Sequence, residues 1–179
     1  MNRVVSFLSL GLLVFLIENC TALRSHNLVM VNGNELIPVN LENEVKRSEY
    51  SLLYGWTTWC KPCVNAIKNK LPGLQAAADS AGVDLTLTAI CSSESVSDKF
   101  KELDNSMKKN NLRSLLCLTE GWSLSDKGSL DQFFSESFSS DYTETNAVPI
   151  ALLINSNGEI ISQDLRLVYS KKFLLASIP

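Results

Sequence analysis

Apolar and polar positions alternate along the chain in short segments of changing period. Leu28-Val29-Met30-Val31 and Glu35-Leu36-Ile37-Pro38-Val39 flank Asn32-Gly33, a pair that tolerates positive φ, so the segment predicts a tight hairpin. Asn40 to Glu49 is polar and predicts one helical turn capped by Asn40, before Tyr50 to Tyr54 forms a strand. Val64, Ile67, Leu71, Leu74 and Ala78 then recur at steps of three and four, the stripe of an amphipathic helix. Pro72 is expected to kink that helix rather than end it, and Gly82 to stop it. Val83, Leu85, Leu87 and Ala89 alternate with polar residues as a strand does.

Ser95 and Asp98 have the spacing of a capping box ahead of Val96, Phe100, Leu103 and Met107, a second helix ending near Asn110-Asn111. Leu112 to Leu118 predicts a strand, Thr119 to Ser129 a loop, and Leu130, Phe133, Phe134 and Phe138 a short amphipathic helix. Pro149 to Ile154 reads as a buried strand, and Asn155-Ser156-Asn157-Gly158 turns it into Glu159 to Ser162. Leu165 to Tyr169 is expected to extend the sheet and Lys171 to Ile178 to close the chain as a helix. Strands and helices in this order predict an α/β fold, a mixed central sheet with helices on its faces.

The 179 residues, 45% apolar and 20% charged, suit one soluble domain. A net charge of -3 leaves no polycationic face, which argues against nucleic-acid binding. Residues 1–22 look like a secretory signal: Arg3, an apolar run from Val4 to Ile17, and small residues at Cys20-Thr21-Ala22. The domain is then expected over 23–179. In a bacterium, Leu16 to Cys20 also resembles a degenerate lipobox, which would make Cys20 a lipid anchor rather than part of a discarded leader. Export would place the protein in the periplasm, or at the membrane facing it, where disulfides persist.

That compartment gives the remaining cysteines their meaning. Cys60 and Cys63, in Trp59-Cys60-Lys61-Pro62-Cys63, fall where a strand passes into a helix. A thiol at a helix N-terminus faces unpaired N–H groups and the positive end of the dipole, so its thiolate is favoured. Cys60 is the expected nucleophile and Cys63, three residues on, the thiol that resolves a mixed disulfide. Lys61 adds positive charge and Pro62 fixes the turn, both tuning the Cys60 pKa below about 8.5. Cys91 and Cys117 lie in apolar runs and read as buried thiols or as a second disulfide. No cofactor or metal is expected, since a zinc site needs ligands that isolated Cys91, Cys117 and His26 do not supply by spacing. A purely structural Cys60–Cys63 bridge would constrain only a short loop. Thr57 three residues before Cys60 matches a peroxidase pattern that lacks its upstream proline here, and a binding or chaperone module is the non-enzymatic alternative.

Trp56-Thr57-Thr58-Trp59-Cys60-Lys61-Pro62-Cys63, together with Val148-Pro149 and Ile154 to Ile161, resembles the exported thioredoxin-like family of periplasmic and membrane-anchored thiol-disulfide oxidoreductases. The resemblance spans roughly residues 28–170. It implies a thioredoxin fold with an added N-terminal β-hairpin and an insertion before the third helix. It further implies that Pro149 is cis, that Val148 offers backbone groups to an extended substrate chain, and that Trp56 and Trp59 flank the site. Protein thiols or disulfides are then the substrates, with a redox partner in the same compartment or at the membrane, and reductase is the preferred direction. Two departures stand out. The buried acid of related reductases is missing, the corresponding segments reading Leu52-Leu53-Tyr54 and Val64-Asn65-Ala66, and Pro72 lies about one turn farther from Cys63 than the usual helix proline.

Overall fold

Strand β3 (Tyr50–Trp56) lies inside a seven-stranded sheet and is buried at every position. The computed structural model describes residues 27–32, 35–92, 98–113, 115–118, 127–138 and 141–179. The chain runs β1 (Asn27–Asn32), β2 (Glu35–Asn40), α1 (Leu41–Val45), β3, α2 (Lys61–Asn69), α3 (Leu71–Ser80), β4 (Leu85–Cys91) and α4 (Asp98–Lys109). It continues through β5 (Leu116–Leu118), α5 (Lys127–Phe138), β6 (Ile150–Asn155), β7 (Ile160–Gln163), α6 (Arg166–Tyr169) and α7 (Lys171–Ser177). The sheet order is β2-β1-β5-β4-β3-β6-β7. β4 runs parallel to both β3 and β5, while β6 is antiparallel to β3 and β7 to β6.

Alternation along the strands divides the core in two. Leu52, Tyr54 and Trp56 of β3 share one face with Leu87, Ala89 and Cys91 of β4, packed with Ala66, Ile67, Leu71, Leu74, Phe100 and Leu103 of α2, α3 and α4. Leu53, Ile90, Leu152 and Ile154 line the other face, with Leu41 and Val45 of α1 and Phe133 and Phe134 of α5. The expected mixed sheet with helices on both faces is present, and the N-terminal hairpin forms its β2–β1 edge, pairing through β5. Gly33, the Ser95 capping position and most of the segment expected as an insertion, 119–126, lie outside the described residues.

The helix ends follow from local chemistry. Asn40 caps α1, its Oδ1 accepting the N–H groups of Glu42 (2.8 Å) and Asn43 (3.3 Å). Gly82, at φ 71°, closes α3 with the Val83 N–H on the Ala78 carbonyl, and Asn111, at φ 56°, closes α4 with the Leu112 N–H on the Met107 carbonyl.

Two expectations need correction. Pro72 divides the expected kinked helix into α2 and α3, because its ring carries no N–H to continue the ladder. Lys70 departs to φ -109°, although bonds from Lys70 N–H to Ala66 and from Leu74 N–H to Lys70 still bridge the break. Leu165 to Tyr169 adds no strand: α6 forms there instead, its first turn fixed by the Asp164 carboxylate accepting the Arg166 N–H at 2.7 Å, with Leu167 and Val168 buried.

Candidate active site

Trp56 ends β3, and a turn closed by the Cys60 N–H on the Thr57 carbonyl (3.2 Å) delivers Cys60 to the start of α2. Cys60 is the N-cap of α2, in extended conformation at φ -79°, ψ 96°. Lys61, Pro62 and Cys63 are the first three helical residues. Cys60 and Cys63 are joined in a disulfide, with their Cα atoms 5.2 Å apart. The Cys63 N–H donates to Cys60 Sγ at 3.3 Å. This geometry converts the sequence pattern into a physical asymmetry. Cys60 keeps 6% of its surface in contact with solvent, whereas Cys63 is wholly buried.

Lys61 and Pro62 are exposed beside the disulfide, and Trp59 is 56% exposed. Trp56 instead lies in the core, its ring stacked 6.2 Å from Phe100 of α4. Thr57 is buried as well, and neither its hydroxyl nor the Trp56 indole N–H has a hydrogen-bond partner among the described residues. A hydroxyl so enclosed is poorly placed to meet an incoming peroxide.

Val148 and Pro149 reach the same end of the sheet through strand pairing. Gly55 pairs with Ile150 at the end of the β3–β6 ladder, so Pro149, the residue before β6, lies next to the end of β3 that leads to the cysteine turn. The Val148–Pro149 peptide bond is cis. Gly55 at this point is a packing requirement: a Cβ there would sit 2.8 Å from the Phe134 ring and 3.3 Å from Ile150. Beside Pro149 runs a largely apolar groove of about 430 Å³, lined by Thr145, Ala147, Ile150, Gln163 and Leu165 among others.

The loop that carries Val148 is held from beneath by Asp131, a residue the sequence pattern did not single out. Asp131 is buried on α5, and its Oδ1 accepts the Thr145 N–H (2.8 Å), the Thr145 hydroxyl (3.2 Å) and the Tyr142 hydroxyl. Burial, and then the Asp131 carboxylate, push the Tyr142 phenol well above its ordinary ionisation range. The Gln163 side-chain amide completes the anchorage, accepting the Thr143 N–H at 3.0 Å and donating to the Thr143 carbonyl. The available signal was an acid next to Leu130 in an otherwise apolar helix stripe.

The core face beneath α2 carries Tyr54 in the strand segment where the resemblance implies an acid. Its hydroxyl lies beside the Tyr169 phenol without a well-formed hydrogen bond, and burial holds it protonated far above the usual phenol range. Cys91 and Cys117, placed by sequence in separate strands, are register partners across β4 and β5, both buried and neither disulfide-bonded in the structure.

This arrangement defines a thioredoxin-like fold with a cysteine pair at the head of a helix. Among solved structures it is similar to the thioredoxin domain of a thiol-disulfide oxidoreductase from Bacteroides vulgatus, at 12% identity over 88% of this chain and 96% of that one, with a TM-score of 0.55. It is also similar to a thiol:disulfide interchange protein from a Bacteroides species (13% identity, 85% and 86% covered, TM-score 0.53). A secreted disulfide oxidoreductase of Mycobacterium tuberculosis shares the fold as well (13% identity, 89% and 96% covered, TM-score 0.51). No protein-family model matches the sequence, and no curated protein matches it.

Proposed function

We propose that this chain is an exported thiol-disulfide oxidoreductase that exchanges disulfides with protein substrates through Cys60 and Cys63. The observation that carries the reading is the asymmetric pair itself: Cys60 caps α2 with an N–H aimed at its sulfur and touches solvent, while its bonded partner Cys63 is buried. In the reducing direction the Cys60 thiolate attacks a substrate disulfide, forming a mixed disulfide and expelling one substrate thiolate. The Cys63 thiolate then attacks Cys60 Sγ, releasing the second substrate thiol and closing the Cys60–Cys63 bond, so that two electrons pass to the substrate. The oxidising direction is the reverse.

Trp59, Val148 and Pro149 form the substrate-facing surface in this reading, supported by the exposure of Trp59 and by the apolar groove beside Pro149. Lys61 and Pro62 tune Cys60. Export rests on the leader-like residues 1–22, with Cys20 as a lipid anchor in the alternative reading. Among the described residues no helix is long and apolar enough to cross a membrane. Reductase is the preferred direction, with a redox partner in the same compartment restoring the dithiol.

Equilibration of the protein with glutathione, followed by mass spectrometry of trapped thiols, tests the reading and its direction together. A Cys60/Cys63 potential near about -270 mV is expected, whereas a value near about -120 mV makes the protein an oxidant. A pair that never equilibrates overturns the catalytic reading in favour of a binding module.

A further inference from the structure

β5 joins the central sheet to the N-terminal hairpin, and it is only three residues long. Its ladder with β4 consists of two registered pairs, Ile90 with Leu116 and Cys91 with Cys117. Cys91 and Cys117 leave the sheet on the same face, in the core layer that also contains Cys60 and Cys63. Neighbouring parallel strands lie about 4.7–4.9 Å apart, inside the Cα separation of about 4.4–6.8 Å that a disulfide spans. Cys91 and Cys117 are direct register partners, both buried in that one core layer. Two thiols in register on adjacent strands and on one face thus lie within the Cα reach of a disulfide, which a small adjustment of the two strands would close.

We infer that Cys91 and Cys117 are a second dithiol–disulfide couple, closed as the chain folds in an oxidising compartment and serving as a staple between β4 and β5. The oxidant is a disulfide of low molecular weight, such as oxidised glutathione. One cysteine, as thiolate, attacks it, forming a mixed disulfide and expelling one thiolate. The other then loses its proton and attacks the mixed disulfide, expelling the second thiolate. Two electrons pass from the cysteine pair to the oxidant, which becomes two thiols.

Closure belongs to folding rather than to turnover because the finished core encloses both sulfurs: Cys91 is 0% and Cys117 2% exposed. The neighbouring Cys91 thiol, burial and the nearby Asp104 carboxylate all push the Cys117 thiol towards its protonated form in the folded chain. Asp104 also accepts the Leu115 N–H at 2.8 Å and pairs with Lys108, so it fixes the residue leading into β5. The couple is therefore separate from the substrate-facing pair. Cys60 meets the substrate and Cys63 resolves from beneath it, while Cys91 and Cys117 hold β1, β2 and β5 on the sheet.

The full chain, reduced and unfolded, is refolded in a glutathione redox buffer, alkylated after denaturation and mapped by peptide mass spectrometry. The expected product carries a Cys91–Cys117 cross-linked peptide in most chains, and its thermal midpoint exceeds that of the Cys91→Ser/Cys117→Ser variant by several degrees. Refolding without oxidant should remove that difference. The inference is overturned if Cys91 and Cys117 are both alkylated in chains whose Cys60–Cys63 bond has closed, or if either is joined to Cys20, Cys60 or Cys63. The parent chain's peptide map decides the matter even where the variant does not fold.

Discussion

Cys60 accepts the Cys63 N–H while oxidised, and on reduction the same donor faces a thiolate, a stronger acceptor. The helix N-terminus acts in the same sense, and exposed Lys61 is proposed to add to it. Replacing Lys61 by Glu should raise the Cys60 pKa and slow alkylation of the reduced protein near neutral pH by about 3-fold, a modest effect because the charge is solvated. Pseudo-first-order trapping with iodoacetamide across pH measures it, and an unchanged profile would remove Lys61 from the account. Thr57 gives the opposite kind of prediction. Its hydroxyl is buried without a partner among the described residues, so Thr57→Val should keep exchange activity and leave stability unchanged or raised by about 1 kcal/mol, read from denaturant melts. A large loss of activity would mean that the hydroxyl serves the chemistry after all.

Elements position these residues, and their limits explain what the sequence could reveal. Gly55 lets Phe134 of α5 approach β3, so Gly55→Ala should cost about 1–3 kcal/mol in chemical denaturation as the buried ring is displaced. Asp131 gathers Tyr142 and Thr145 under the loop carrying Val148 and Pro149, so Asp131→Ala should cost about 1–3 kcal/mol and slow disulfide exchange more than it slows alkylation of Cys60. Equal slowing of both would reduce Asp131 to a structural role. The strands, the stripe from Val64 to Ala78 and the cysteine turn were legible because periodicity and capping are local. The break at Lys70 and the four-residue α6 were not, since one missing N–H and one carboxylate hydrogen bond decide them below the length at which a period shows. The adjacency of Cys91 and Cys117 and the reach of Asp131 depend on strand order and on contacts between α5 and a later loop, which no local pattern records.

Across the whole molecule, buried polar groups set how stability responds to pH and link the edge hairpin to the core. The Tyr54 and Tyr142 phenols have raised pKa values when folded, chiefly through burial, so above about pH 10 the unfolded chain has lost protons that the folded chain keeps. Stability is therefore full below about pH 10 and falls as pH rises beyond it, and Tyr54→Phe should make that alkaline fall shallower while changing neutral stability little. Glu44 of α1 is buried and paired with Arg47 and with Arg113, which precedes β5, joining elements on either side of the hairpin. Cys60, Cys63 and Pro149 meet at one end of this sheet, and the account rests on what Cys60 does there. The most direct test is to reduce the Cys63→Ala variant and mix it with a disulfide-bearing protein such as insulin. The account predicts a mixed disulfide through Cys60 that persists because no resolving thiol follows. A folded variant that forms no adduct, or one whose adduct maps to Cys91 or Cys117, would contradict it.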